Sequence, residues 1–119
     1  MKICVPTMDK GGYDDLVCEH FGRAPTYTVV DLDSNEVQVV KNRSEHMGGL
    51  GLPPEHIAKT GAGILVCSAL GPKAIDMLAS LGVQVFVGAA GTARDAVQMW
   101  RDGKLRAASP DLACKGHSH

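Results

Sequence analysis

Apolar positions in this chain come in short runs, and the organising ones lie between Gly61 and Gly103. Ile64-Leu65-Val66-Cys67 is wholly apolar, the pattern of a strand buried on both faces of a sheet that helices cover. A helix signal follows at once: Gly71 suits an N-cap, Pro72 the first helical turn, and Gly82 a left-handed residue just past the end. Residues 83–87 repeat the apolar run. Thr92 and Asp95 then make a capping-box pattern ahead of Ala93, Ala96, Val97 and Trp100, spaced i, i+3, i+4, i+7, and Gly103 is the stop. Gly61, Gly82 and Gly103 thus punctuate two strand-turn-helix units of equal length. That is simply the length of such a unit, because little else matches between the two to suggest a duplication.

The first half reads differently. Residues 2–6 form a strand closed by Pro6, with Cys4 in the core, and residues 7–25 a long loop carrying Cys18, His20 and Arg23. Loops of that length tend to hold function. Residues 26–32 and 36–40 read as two strands joined by the tight turn Asp33-Ser34-Asn35, hence antiparallel neighbours. A Gly-rich loop with His46 follows, and Pro53-Pro54 opens a short helix containing His56. This order predicts an α/β fold with a mixed five-stranded sheet, strand order 3-2-1-4-5, strand two antiparallel and three helices: a ribonuclease-H-like three-layer arrangement. Its loops gather at one edge, over a crevice between strands one and four of the kind where open sheets bind ligands.

At 119 residues the chain is one domain, read as a folded part over residues 1–105 and a flexible Cys/His-containing tail over residues 106–119. No apolar run approaches the ~20 residues that span a bilayer, and no signal-peptide pattern is evident, so a cytoplasmic location and no membrane partner are expected. A net charge of -1 without a basic stripe, and few aromatic residues, argue against nucleic acid. The four cysteines contain no C-x-x-C, so reduced thiols are expected rather than a disulfide framework.

Cys67 falls at the crevice beside a helix start whose partial charge favours thiolate, so it is a candidate soft ligand or nucleophile. It equally suits a small buried hydrophobe. Cys18 and His20 offer ligands two residues apart, and His46 sits where a bulky ligand could be accommodated. Either histidine taken singly also suits an ordinary surface residue, and His56 a structural or solvent-facing role. Cys114, His117 and His119 form a terminal metal-capable cluster. Gly88-Ala89-Ala90-Gly91 could cradle an anion with backbone N–H groups. The scattered carboxylates form no Mg²⁺ cluster, and no Ser-His-Asp arrangement appears.

Glu19-His20-Phe21-Gly22-Arg23-Ala24-Pro25, Val29-Val30-Asp31, Gly71-Pro72-Lys73-Ala74 and Gly91-Thr92-Ala93-Arg94-Asp95-Ala96 with Asp102-Gly103-Lys104-Leu105 resemble the nitrogenase iron-molybdenum cofactor biosynthesis family. Its members are small domains that bind cofactor precursors, either alone as carriers or fused behind a radical-SAM synthase, which is absent here. The resemblance implies a non-enzymatic carrier of an iron-sulfur or iron-molybdenum-type cluster that passes its cargo between donor and recipient proteins. With the crevice, it makes His20, His46 and Cys67 the main candidate ligands, Cys18 an addition, and Arg23 and Gly71 sources of positive potential. Cys114, His117 and His119 would either cap the site as extra ligands or only scavenge metal. The alternative is a regulatory domain that binds a small molecule or anion at the Gly-capped helix starts.

Overall fold

The computed structural model describes residues 1–42 and 53–108. Strands β1 (Lys2–Thr7), β2 (Thr26–Asp31) and β3 (Val37–Lys41) precede helix α1 (Pro53–Lys59). Strand β4 (Ile64–Val66), helix α2 (Pro72–Ser80), strand β5 (Gln84–Val87), helix α3 (Ala93–Arg101) and strand β6 (Arg106–Ala108) complete the order. One mixed sheet runs β3-β2-β1-β4-β5-β6. β1, β4 and β5 are parallel, while β2 is antiparallel to both β1 and β3, and β6 is antiparallel to β5.

The expected order of the first five strands holds, but the sheet has six. Arg106–Ala108 pairs with the outer edge of β5, Val87 opposite Arg106 and Val85 opposite Ala108. These residues show no apolar alternation, yet their backbone groups satisfy the N–H and C=O row that β5 would otherwise leave open. The stretch expected to be tail therefore gives its first three residues to the sheet. β6 also runs away from the edge where β5 ends, so the chain leaves Ala108 beside Val85.

The alternation of β1 divides the core. Ile3 and Val5 face one side with Val30, Ile64 and Val66, packed under Ala93, Ala96 and Val97 of α3. Cys4 faces the other with Tyr27, Val29 and Leu65, under Ile57 of α1 and Leu78 of α2. Both faces of β1 are fully buried at Ile3, Cys4 and Val5, as expected for a strand at the centre of a covered sheet. The helix signals are realised: α3 carries the complete Thr92/Asp95 capping box, Gly71 is the N-cap of α2 ahead of Pro72, and Gly82 has φ +82°.

Candidate functional site

β1, β4 and β5 all end at one edge, where the chain departs in opposite senses from β1 and β4. The space there is taken by the chain itself. Thr7 pairs with Thr26 on one side and bridges Val17 on the other, and Leu16 bridges Thr92. Val17 N–H donates to the Gly91 carbonyl and Cys18 N–H to the Pro6 carbonyl, both at 2.9 Å. Residues 16–18 therefore continue the sheet between the end of β1 and the turn before α3. The expected open crevice is replaced by a rim built on this segment.

Two polar devices hold the loop. The Asp15 carboxylate accepts from the N–H groups of Asp9, Gly11 and Leu16 at 2.8 Å, tying the turn to itself. Below it, Thr7, Thr26 and Thr28 share buried hydroxyls, with Thr7 Oγ1 2.6 Å from Thr26 Oγ1 and 3.2 Å from Thr28 Oγ1. Thr28 Oγ1 also accepts from Gly12 N–H at 2.9 Å, and Thr26 Oγ1 donates to the Asp9 carbonyl.

His20 follows this segment as the N-cap of the single 3-10 turn Phe21–Arg23. Its side chain and that of Arg23 are exposed, whereas Phe21 is buried. The turn is anchored from beneath: Tyr27 Oη donates to the Phe21 carbonyl at 3.3 Å, and Asn42 Nδ2 to the Ala24 carbonyl at 2.8 Å. Buried anchors under exposed cationic and imidazole groups make this the presented part of the rim. Cys18 lies just inside it, 9% exposed, with its thiol donating to the His20 carbonyl at 3.5 Å.

Of the two readings of Cys67, the small buried hydrophobe is the one realised. It is fully buried, its N–H and thiol both donate to the Phe86 carbonyl, and burial pushes the thiol up to about 12. Desolvation, which penalises the thiolate, thus outweighs any pull from the start of α2. Burial, and secondarily Cys67 itself, also raise the Cys4 thiol. Tyr27 is raised by burial first and then by Cys4 and Cys18, and all three thiols belong with it to the core on the α1/α2 face.

Half of the proposed anion cradle at residues 88–91 is already engaged. Gly88 N–H donates to the Ser68 carbonyl and Ala89 N–H to the Cys67 carbonyl. The N–H groups of Thr92, Ala93, Arg94 and Asp95 go to Asp95 Oδ2, the Asp15 carbonyl, the Tyr13 carbonyl and Thr92 Oγ1. The start of α3 is closed by its own chain. Gly71, by contrast, is exposed and caps α2 without any side-chain acceptor, so the positive end of that helix faces outward.

His46, Cys114, His117 and His119 lie outside the described residues. Among the described residues, no group of three or more His, Cys, Asp or Glu is placed to hold a metal ion, and no helix is long and apolar enough to cross a membrane. His56 in α1 carries a buried Nε2 with no hydrogen-bond partner among the described residues, a nitrogen with spare ligating capacity. The only sequence signal for it was an imidazole in the helix after the Gly-rich loop.

The same frame occurs in known proteins. The apo form of the orange protein from Desulfovibrio gigas superposes with a TM-score of 0.77 at 33% identity, covering 90% of this chain and 92% of that one. The crystal structure of PH0822 gives 0.76 at 31% identity over 91% and 96%. An uncharacterised protein of Methanocaldococcus jannaschii is 24% identical over 110 residues, 88% of this chain and 89% of its own length. Residues 1–103, from β1 to the glycine that ends α3, match the family model described as dinitrogenase iron-molybdenum cofactor. That span contains the whole of the rim, and the chain belongs to the dinitrogenase iron-molybdenum cofactor family.

Proposed function

We propose that this domain is a non-enzymatic carrier that holds a preformed iron-sulfur or iron-molybdenum-type cluster at the rim and releases it to a recipient protein. The observation that carries the reading is His20: an exposed imidazole on a turn anchored from below, beside exposed Arg23, in a chain of this family. An anionic cluster is attracted by Arg23 and by the outward-facing start of α2 at Gly71. A hold made of one imidazole plus electrostatics suits cargo that must leave again. Cys18 and Cys67 act from within the core, supporting the rim rather than ligating.

Anaerobic reconstitution with iron and sulfide tests this. The parent chain should develop broad visible charge-transfer absorption, and His20→Ala should lower bound iron severalfold with an unchanged circular dichroism spectrum. A parent that takes up no chromophore, or a His20→Ala variant that binds as well as the parent, overturns the reading.

A further inference from the structure

On the sheet face away from the thiols, a groove of about 420 Å³ runs between α3, the long loop and the β2–β3 turn. Its walls are Tyr13, Asn35, Arg94, Gln98 and Arg101, and buried Val97 lines its floor. Arg94, Gln98 and Arg101 share one face of α3 at i, i+4 and i+7, which sets the Cα atoms of the two arginines about 10 Å apart along the axis, within the combined reach of two such long side chains. Every polar wall residue can donate hydrogen bonds, and none carries negative charge.

These groups are held in place. The Arg94 guanidinium lies over the Tyr13 ring, 4.6 Å from its centroid, and Tyr13 itself packs against the α3-side core. Arg94 N–H donates to the Tyr13 carbonyl at 2.9 Å, joining loop and helix at the groove's head. Gln98 Nε2 is oriented by donating one of its two N–H bonds to Asp102 Oδ1 at 2.9 Å. Asn35 sits at φ +63°, which fixes the turn tip at the far end. Of the nearby carboxylates, Asp14 touches Arg94 only at 3.4 Å and with its side chain 90% exposed, so solvent screens that pair. The Arg101 side chain has no ion pair or hydrogen bond among the described residues.

We infer that this groove is a second binding site, for a small organic or inorganic oxyanion with two acidic groups or a doubly charged one, gripped between Arg94 and Arg101. Guanidinium forks match carboxylate and phosphate oxygens in pairs. The groove's size lies within the range of small-ligand sites, while its polar walls suit an anion rather than an apolar molecule. It is independent of His20, which sits at the rim, so it adds to the carrier reading without resting on it.

The test is nuclear magnetic resonance titration of the full chain, labelled to report the arginine Nε–H and glutamine amide signals. Inorganic phosphate and citrate are the probes, with sodium chloride holding ionic strength constant. Saturable shifts shared by Arg94, Gln98 and Arg101 are expected, weakened about tenfold by Arg101→Gln and unchanged by Arg106→Gln, which removes an exposed charge elsewhere. Saturation by citrate alone assigns a carboxylate ligand, and by phosphate alone a phosphate ligand. Shifts that stay linear in concentration, unaltered binding in Arg101→Gln, or equal weakening in Arg106→Gln each overturn the inference.

Discussion

Raising the pH from about 8 to about 10 should destabilise this domain through Cys67, because ordinary thiols ionise near pH ~8.5 whereas its own is pushed up to about 12 by burial. The sign follows from which state sheds the proton. Below the ordinary value both states are protonated and the thiol's contribution is complete; above it, the unfolded chain ionises while the folded one does not. Each such thiol then weakens folding by about 1.4 kcal/mol per pH unit, and the loss continues until the folded thiol itself ionises at about 12. Over this pH step Cys67 accounts for about 2 kcal/mol, a large share of a domain stability of about 5–15 kcal/mol. Cys4, buried and raised in the same direction, adds to the same trend. Urea unfolding of the parent and of Cys67→Ala at both pH values isolates the group. The variant should begin weaker, by about 1–3 kcal/mol for the cavity left, yet lose about 2 kcal/mol less across the pH step. Equal losses in the two proteins would show that Cys67 ionises in the folded state, and the assignment of Cys67 to the sealed core would be wrong.

Two further substitutions probe how the rim is built. Gly91 has φ +84°, and an added Cβ would lie 2.6 Å from Asp95 Oδ2, so Gly91→Ala should break the capping box and cost about 1–3 kcal/mol in thermal or urea unfolding; unchanged stability would refute this. Thr7→Val removes the hydroxyl that joins Thr26 and Thr28, leaving them their bonds to Asp9 and Gly12, and should cost about 0.5–1.5 kcal/mol, with faster amide exchange at Gly12 as the local readout; protection equal to the parent's would count against it.

How much of this was visible in the sequence depends on what kind of signal each part leaves. Helices α2 and α3 announce themselves through side chains, Gly71 with Pro72 and Thr92 with Asp95, whose capping roles act within one turn. β6 does not, because Arg106-Ala107-Ala108 pairs through backbone alone. The long loop hid its order for the same reason: the bridges of Thr7 to Val17 and of Leu16 to Thr92 join segments with no periodicity. For Cys67 the helix start was readable but the competing desolvation was not, since that depends on the α1/α2-side core packed from remote parts of the chain. The Arg94, Gln98 and Arg101 face was present as a helical spacing. It became a groove only when Tyr13 and Asn35, from remote parts of the chain, closed its sides.

The position of β1 in the middle of the sheet bears on how the protein is made. β1 leaves the ribosome before the other strands of its sheet and gains β2 and β3 soon afterwards, yet its other neighbour is β4, with Ile3 opposite Ile64. At synthesis rates of about 5–20 residues per second, that partner arrives roughly 3–12 s after β1. During this interval a three-stranded meander has apolar side chains on both faces and β1 itself as an open edge, the arrangement that most readily recruits another strand. The nascent chain is thus most exposed to mispairing along β1, the strand that in the finished domain is sealed from solvent on every side.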